Sequence, residues 1–406
     1  MNWSIEDATV ITPDSTFSGG CIVIEDGKIG EVVRKKVKTD YSISIDNAVI
    51  CPGLINSHDH LLGTYFPKVG NGPYPNWLPW DNDLKSADVY RERQQIENRD
   101  LYLLGGYRNL ISGVTSVQDH IPHFVQDPFL DLLPVKVISD FSMAHSIASF
   151  ALNWGEGVEV EYQKSVKNDI PFITHISEGF DDETVRDIET LDKKGGLGEY
   201  SVLIHGISFS ESDMNKIKSK KANVVWCCDS NIFMFEKTTD IKMLLDKKIN
   251  VSIGTDSPMS GGLNILEEMR FDRAYFKKKY GVDLPDRQIV QMVTKNPAKS
   301  FRMYNNGEIS AGRLADLTVF EKKYEDPYSS VVGAGLKDIK LVIIEGMPVY
   351  GDAEYLPLFT RLKMDVQSVT VDGKEKVIIG DLKGVLSRIN KAVGYNKKFP
   401  FLPVKI

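Results

Sequence analysis

Gly53-Leu54-Ile55-Asn56-Ser57-His58-Asp59-His60 places two histidines at the end of an apolar stretch that starts at Ala48. Side chains alternate faces along a strand, so His58 and His60 point one way and Asp59 the other. Two imidazoles on one face of a strand end can grip one metal ion. Three later segments repeat the design: Ile170 to His175, Ser201 to His205 and Asn250 to Asp256 are apolar, β-rich runs closed by a ligand-type residue. Such Ile- and Val-rich runs suit strands buried on both faces of a parallel sheet. Polar stretches with helical spacing, Asp181 to Lys194 and Glu211 to Lys220, lie between them. Alternating strands and helices read as βα units, and a barrel of such units carries its site at the C-terminal strand ends. His58, His60, His175, His205 and Asp256 all fall there. The chain has seven histidines, and four of them close strands of this kind. Imidazole and carboxylate together suit zinc, iron or manganese.

In this order the residues resemble the amidohydrolase superfamily, whose pattern is His-x-His ending strand 1, His ending strands 5 and 6, and Asp ending strand 8. Ser112-Gly113-Val114-Thr115-Ser116-Val117 is similar to the family's entry into strand 2. Gly307-Glu308-Ile309 and the run Gly312 to Phe320 are similar to its return into a small β domain. The resemblance implies an α/β fold: a distorted (β/α)8 TIM-like barrel over residues 51–306, with a small β-sandwich domain built from residues 1–50 and 307–406. His175-Ile176-Ser177-Glu178 resembles the deaminase and chlorohydrolase branch, whose members carry one metal. No Lys ends a strand between Ser139 and Ala151, where the two-metal branch has a carboxylated lysine.

The resemblance therefore implies one divalent ion, zinc with iron as the alternative, held by His58, His60, His175 and Asp256. Asp256 would also take a proton from the attacking water. His205 would polarise that water or the substrate oxygen, and Glu178 would carry a proton to the ring nitrogen or leaving group. His145, near the end of a weak strand, is implied as substrate-binding. Asn231 is assigned to the substrate because it keeps the family's Ser-Asn pair. The connection Leu61 to Leu84 holds Tyr65, Phe66, Tyr74, Trp77 and Trp80 among four prolines. A connection this long beside a site is usually functional, which puts Trp77 against the substrate. His120 and His123 are not assigned as ligands. A long helix is expected from Ser86 to Leu110.

Two departures from the family stand out. Trp226-Cys227-Cys228-Asp229-Ser230-Asn231 replaces a His-Cys-Pro-x-Ser-Asn run. The span from Thr115 to His175 is short for three complete βα units, so a helix is expected to be shortened or missing around Ser142 to Trp154.

At 406 residues the chain has room for a barrel and a small second domain. Acidic residues exceed basic ones, 56 to 49, and no basic cluster suggests a nucleic-acid surface. No apolar run suits a membrane span, and the first residues lack a signal-peptide pattern, so a cytoplasmic location is expected. Cys21, Cys51, Cys227 and Cys228 read as reduced, buried thiols. Toward the C-terminal end, Val366 to Val371 and Lys376 to Ile379 flank Asp372-Gly373 as a hairpin, followed by a helix from Asp381 to Val393.

The expected activity is hydrolytic deamination of a heterocyclic, nucleobase-like small molecule. Ring opening of a cyclic amide is the alternative within the same chemistry. A catalytically inactive barrel acting as a scaffold is the alternative of another class, and it conflicts with the filled ligand positions. Homodimers are common in the resembled family.

Overall fold

The computed structural model describes residues 2–405. Two parallel sheets form the centre of the molecule. One has five strands in the order Asn250–Ile253, Asn223–Trp226, Ser201–His205, Phe172–Ile176 and Ser142–Met143. The other has three: Leu54–Asp59, Val114–Asp119 and Lys136–Val137. All neighbours within these sheets run parallel. The sheets meet where the Asp256 N–H donates to the His58 carbonyl (3.0 Å) and the His60 N–H donates to the Asp256 carbonyl (3.2 Å). Together the two arcs make a distorted (β/α)8 barrel. Every residue of Phe172–Ile176 and Ser201–His205 is buried, as expected of strands covered on both faces.

The distortion lies where the sequence is short. Lys136–Val137 and Ser142–Met143 are two-residue strands, and the next helix starts only at Val158. The stretch expected to lack a full helix lacks one.

Two helical expectations need correction. The segment Ser86 to Leu110 is not one helix: Ala87 is extended (φ −68°, ψ 146°), and Asp88–Arg93 and Asn98–Leu110 are separate helices. The aromatic connection is itself partly helical, since Trp77–Ser86 forms a helix whose cap Asn76 accepts from the Leu78 N–H. Glu211–Lys220 is helical as expected, and Ser210 with Asp213 closes its start as a capping box. The segment Asp181 to Lys194 is a 3-10 turn over Thr184–Arg186 running into the helix Asp187–Lys193.

Strands from both chain ends join one further sheet of eleven strands. Ala48–Pro52, which leads into the first barrel strand, pairs antiparallel with Leu317–Glu321. The expected hairpin pairs Val366–Val371 with Lys374–Ile379 and is followed by the helix Leu382–Val393, capped by Asp381. No helix among the described residues is long and apolar enough to cross a membrane.

Candidate metal centre

Strand alternation decides the first step. His58 and His60 bring their rings to 4.8 Å, while Asp59 turns away into the barrel wall. There Arg108 Nη1 donates to both Asp59 oxygens (2.9 and 3.0 Å), and Asn109 Nδ2 donates to Oδ2 (2.8 Å). The wall side of the strand is thus fixed by a buried, fully bonded ion pair, which holds the histidine side in place.

Donors from four strand ends converge on His58. His58, His175 and His205 form one group with ligand atoms within 4.8 Å of one another, and His58, His60 and Asp256 form a second. The Nε2 atoms of His58 and His175 lie 3.3 Å apart. Asp256 Oδ1 is 3.4 Å from His60 Nε2 and 3.6 Å from His58 Nε2. Tetrahedral zinc with Zn–N bonds of about 2.0–2.1 Å sets its donors ~3.4 Å apart, so the observed spacings fit that ion. The residues present therefore suit one divalent cation.

The partners behind the donors fix which atoms face the centre. His175 Nδ1 bonds the His145 carbonyl (2.8 Å), which places the ring proton on Nδ1 and leaves the Nε2 lone pair free. His205 Nδ1 bonds Asn231 Oδ1 (2.9 Å), with the same result for its Nε2. Ser230 and Ser260 both donate to Asp256 Oδ2 (2.6 Å each), so Oδ1 is the free oxygen. His205 and Asp256 adopt φ of +74° and +57°, conformations held only where surrounding structure over-determines them.

Charge follows burial. Burial pushes the imidazole of His60 down to about 3 and that of His205 to about 4, which keeps both neutral and able to ligate. Burial opposes ionisation of Asp256, yet the close imidazoles of His58, His60 and His205 outweigh it and hold the carboxylate low. Glu178 behaves oppositely. Burial, then Asp256 and Asp187, raise its carboxyl well above the ordinary value. Its Oε1 sits 3.6 Å from His205 Nε2.

Aromatic rings wall one side. His145 lies 4.7 Å from both Trp77 and Trp154, ring centre to ring centre. Asn231 is fully buried with both amide ends engaged, accepting from His205 and donating to Thr238 Oγ1 (2.9 Å). His123 lies outside the cluster, with Nε2 on the Phe141 carbonyl at 2.9 Å.

His120, which the sequence did not mark as a ligand, lies beside the site and belongs to neither donor group. It is fully buried and stacks on His175 at 4.1 Å. A signal for it exists in the sequence. Asp59-His60 and Asp119-His120 are the same dipeptide at the ends of adjacent strands, and Asp59 pairs with Asp119. Ser260 and Trp154 carried no comparable signal.

Two residues that hold the site carry testable consequences. A Cβ on Gly254 would sit 2.7 Å from His58 Cβ and 2.9 Å from its backbone nitrogen. Gly254→Ala is expected to cost about 1–3 kcal/mol and to weaken metal binding, read by thermal melts with and without zinc. Asp187, 3% exposed, accepts from the Ser177 N–H (2.7 Å), and burial raises its carboxyl from 3.8 to about 7. The native state then binds more protons than the unfolded chain between those values, so this group lowers stability as pH rises through that window. Asp187→Asn keeps the acceptor, so it should flatten that slope and add about 1–3 kcal/mol above pH ~7, read by denaturant titration across pH.

Comparison with known proteins agrees with this geometry. The model of the amidohydrolase family matches residues 161–349. A 5'-deoxyadenosine deaminase of Methanosarcina mazei is 25% identical over 418 aligned positions, covering 87% of this chain and 94% of the relative. A 5-methylthioadenosine/S-adenosylhomocysteine deaminase of Pyrococcus furiosus is 26% identical, covering 87% and 96%. Among solved structures, a zinc-complexed atrazine chlorohydrolase of Arthrobacter aurescens superposes with a TM-score of 0.77 at 15% identity, covering 96% of this chain and all of that one. An adenosine deaminase of Xanthomonas campestris with bound zinc gives 0.72 at 17% identity, covering 89% and 97%. The His-x-His strand end, the barrel around it and relatives matched along nearly their whole length point the same way: the chain resembles the amidohydrolase superfamily, whose family model matches its residues 161–349.

Proposed function

We propose that the chain is a hydrolytic deaminase of a heterocyclic amine, with adenine-type nucleosides as the first substrates to test. It is a hydrolase of carbon–nitrogen bonds, and its substrate is a small molecule. One observation carries the deaminase reading. A buried carboxyl, Glu178, retains its proton well above the usual range and stands 3.6 Å from His205 Nε2 at the edge of the donor cluster. Deamination needs such a proton source, because the ring nitrogen must be protonated before the exocyclic amine can leave. The relatives named above, which act on 5'-modified adenosines, support the same class.

Residue roles follow from the geometry. His58, His60, His175 and Asp256 would hold one divalent ion, with zinc the best match to the donor spacing. Such an ion supplies Lewis acidity that brings the pKa of a bound water toward ~7. Asp256 Oδ1 accepts a proton from the attacking water, and its Oδ2 is held by two hydroxyls that keep the carboxylate oriented. His205 Nε2 accepts a hydrogen bond at the reacting centre. Asn231 positions His205 and does not contact the substrate, since both ends of its amide are occupied. Trp77, His145 and Trp154 form an aromatic wall whose rings meet edge to face, at 64° and 88°, and against which a heterocycle packs.

The test is direct. Zinc-loaded protein is incubated with adenosine, 5'-deoxyadenosine, 5'-methylthioadenosine and guanine, and ammonia and product mass are measured together. Ammonia release with replacement of an amino group by oxygen supports the reading. Addition of water without ammonia would establish ring opening instead.

A further inference from the structure

We propose that a basic cavity at the strand-entry end of the barrel, opposite the imidazole cluster, binds a compact phosphate-bearing anion. The cavity has a volume of about 490 Å³, within the range of small-molecule sites. Asn223 and Asn250, the first residues of two barrel strands, lie on its wall. Strands of four or five residues at about 3.3 Å per residue put it some 13–17 Å from the imidazoles.

Its charge opposes that of the chain. The whole sequence has a net charge of −7, yet seven cationic side chains line this cavity against two carboxylates, Glu199 and Glu308. Glu308 is already shared, with Lys295 at 2.8 Å and Arg313 at 3.8 Å. Arg302 is held by Asp169 and lies 4.1 Å over the Tyr200 ring, so its guanidinium is fixed in place. Lys218 donates to the Lys248 carbonyl (2.9 Å). Lys221, Lys248 and Lys299 remain, exposed and without an acidic partner within 4.0 Å among the described residues.

Lys221 and Lys248 both sit at positive φ, +60° and +56°, where the chain turns from a helix into the next barrel strand. A left-handed turn favours Gly or Asn. Here lysine occupies it twice, on neighbouring strand entries. Ammonium groups converging on one concavity bind multivalent phosphate as point charges, with little demand on its orientation.

The experiment is calorimetric titration of the zinc-loaded full chain with inorganic pyrophosphate at low salt. Metal content is measured before and after, because pyrophosphate also chelates zinc. Saturable binding is expected, weakened by added salt. It should fall by about tenfold or more in Lys221→Gln/Lys248→Gln/Lys299→Gln and by roughly two- to fivefold in Lys299→Gln alone. Lys383→Gln/Lys391→Gln, remote in sequence on the C-terminal helix, should leave it unchanged. All these substitutions are at surface positions, and a thermal melt confirms the fold of each variant. Absence of binding at millimolar pyrophosphate, or identical heats from wild type and the triple variant, overturns the proposal. Neither outcome bears on the deaminase assay, which reads the opposite end of the strands.

Discussion

Asp256→Asn is expected to lower kcat/KM by at least about 10³-fold while leaving the fold intact, because the two roles proposed for it, ligand and proton acceptor, meet on one carboxylate. Oδ1 stands 3.4 and 3.6 Å from two imidazole nitrogens, and Oδ2 accepts from Ser230 and Ser260. Asparagine keeps the shape and tolerates the left-handed backbone at φ +57°, so backbone strain does not increase. The change removes the negative charge, and with it the basicity needed to accept a proton. It also weakens metal affinity, by at least the roughly 10–100-fold that loss of a partner behind a ligand costs. Dialysis followed by metal analysis measures the second effect, and rates at saturating zinc isolate the first. A variant that regains wild-type activity when zinc is saturating would leave Asp256 as a ligand only.

The sequence makes that residue visible because a strand ending in a lone Asp after an apolar run is a local pattern. The same holds for His58, His60, His175 and His205, each placed by period-two alternation at a strand end. His120 was harder to see. Its strand, Val114–Asp119, ends in Asp and not His, and the imidazole follows a strand end that pairs Asp119 with Asp59 after two register shifts. Trp154 belongs to a segment without regular structure, so no periodicity announces which way its ring faces. The break at Ala87 is equally silent. The residues there, Lys85-Ser86-Ala87-Asp88, include no Pro or Gly, yet Ala87 is extended between two helices. Asn231 shows the converse. Its motif was legible, but its engagement with His205 and Thr238 depends on the turn of the helix Cys228–Phe235 above the strand. Local pattern reveals which residues carry chemistry, and only tertiary packing reveals which of them face inward to support the others.

Glu178→Gln separates proton transfer from everything else the site does. The glutamine fills the same buried volume and can still donate a hydrogen bond, but it cannot release a proton. Loss of a positioned general acid costs typically 10²–10⁴-fold, so kcat is expected to fall by about that factor while KM moves only a few-fold. Metal content should be unchanged, because Glu178 belongs to neither donor group of the cluster. Stability should hold or rise, since a side chain that is costly to ionise under 8% exposure gives way to a neutral one. The pH profile supplies the decisive sign. Burial and the nearby Asp256 and Asp187 carboxylates raise this carboxyl, so it keeps its proton well above the pH at which an ordinary carboxyl loses it. Wild-type kcat should therefore decline as pH rises through that ionisation, and the glutamine variant should lose that limb while retaining any limb at acid pH. A variant within tenfold of wild type, or one that keeps the alkaline limb, would place the proton source elsewhere. His205 could not replace it, because burial pushes its imidazole down to about 4 and leaves it without a proton to give at neutral pH.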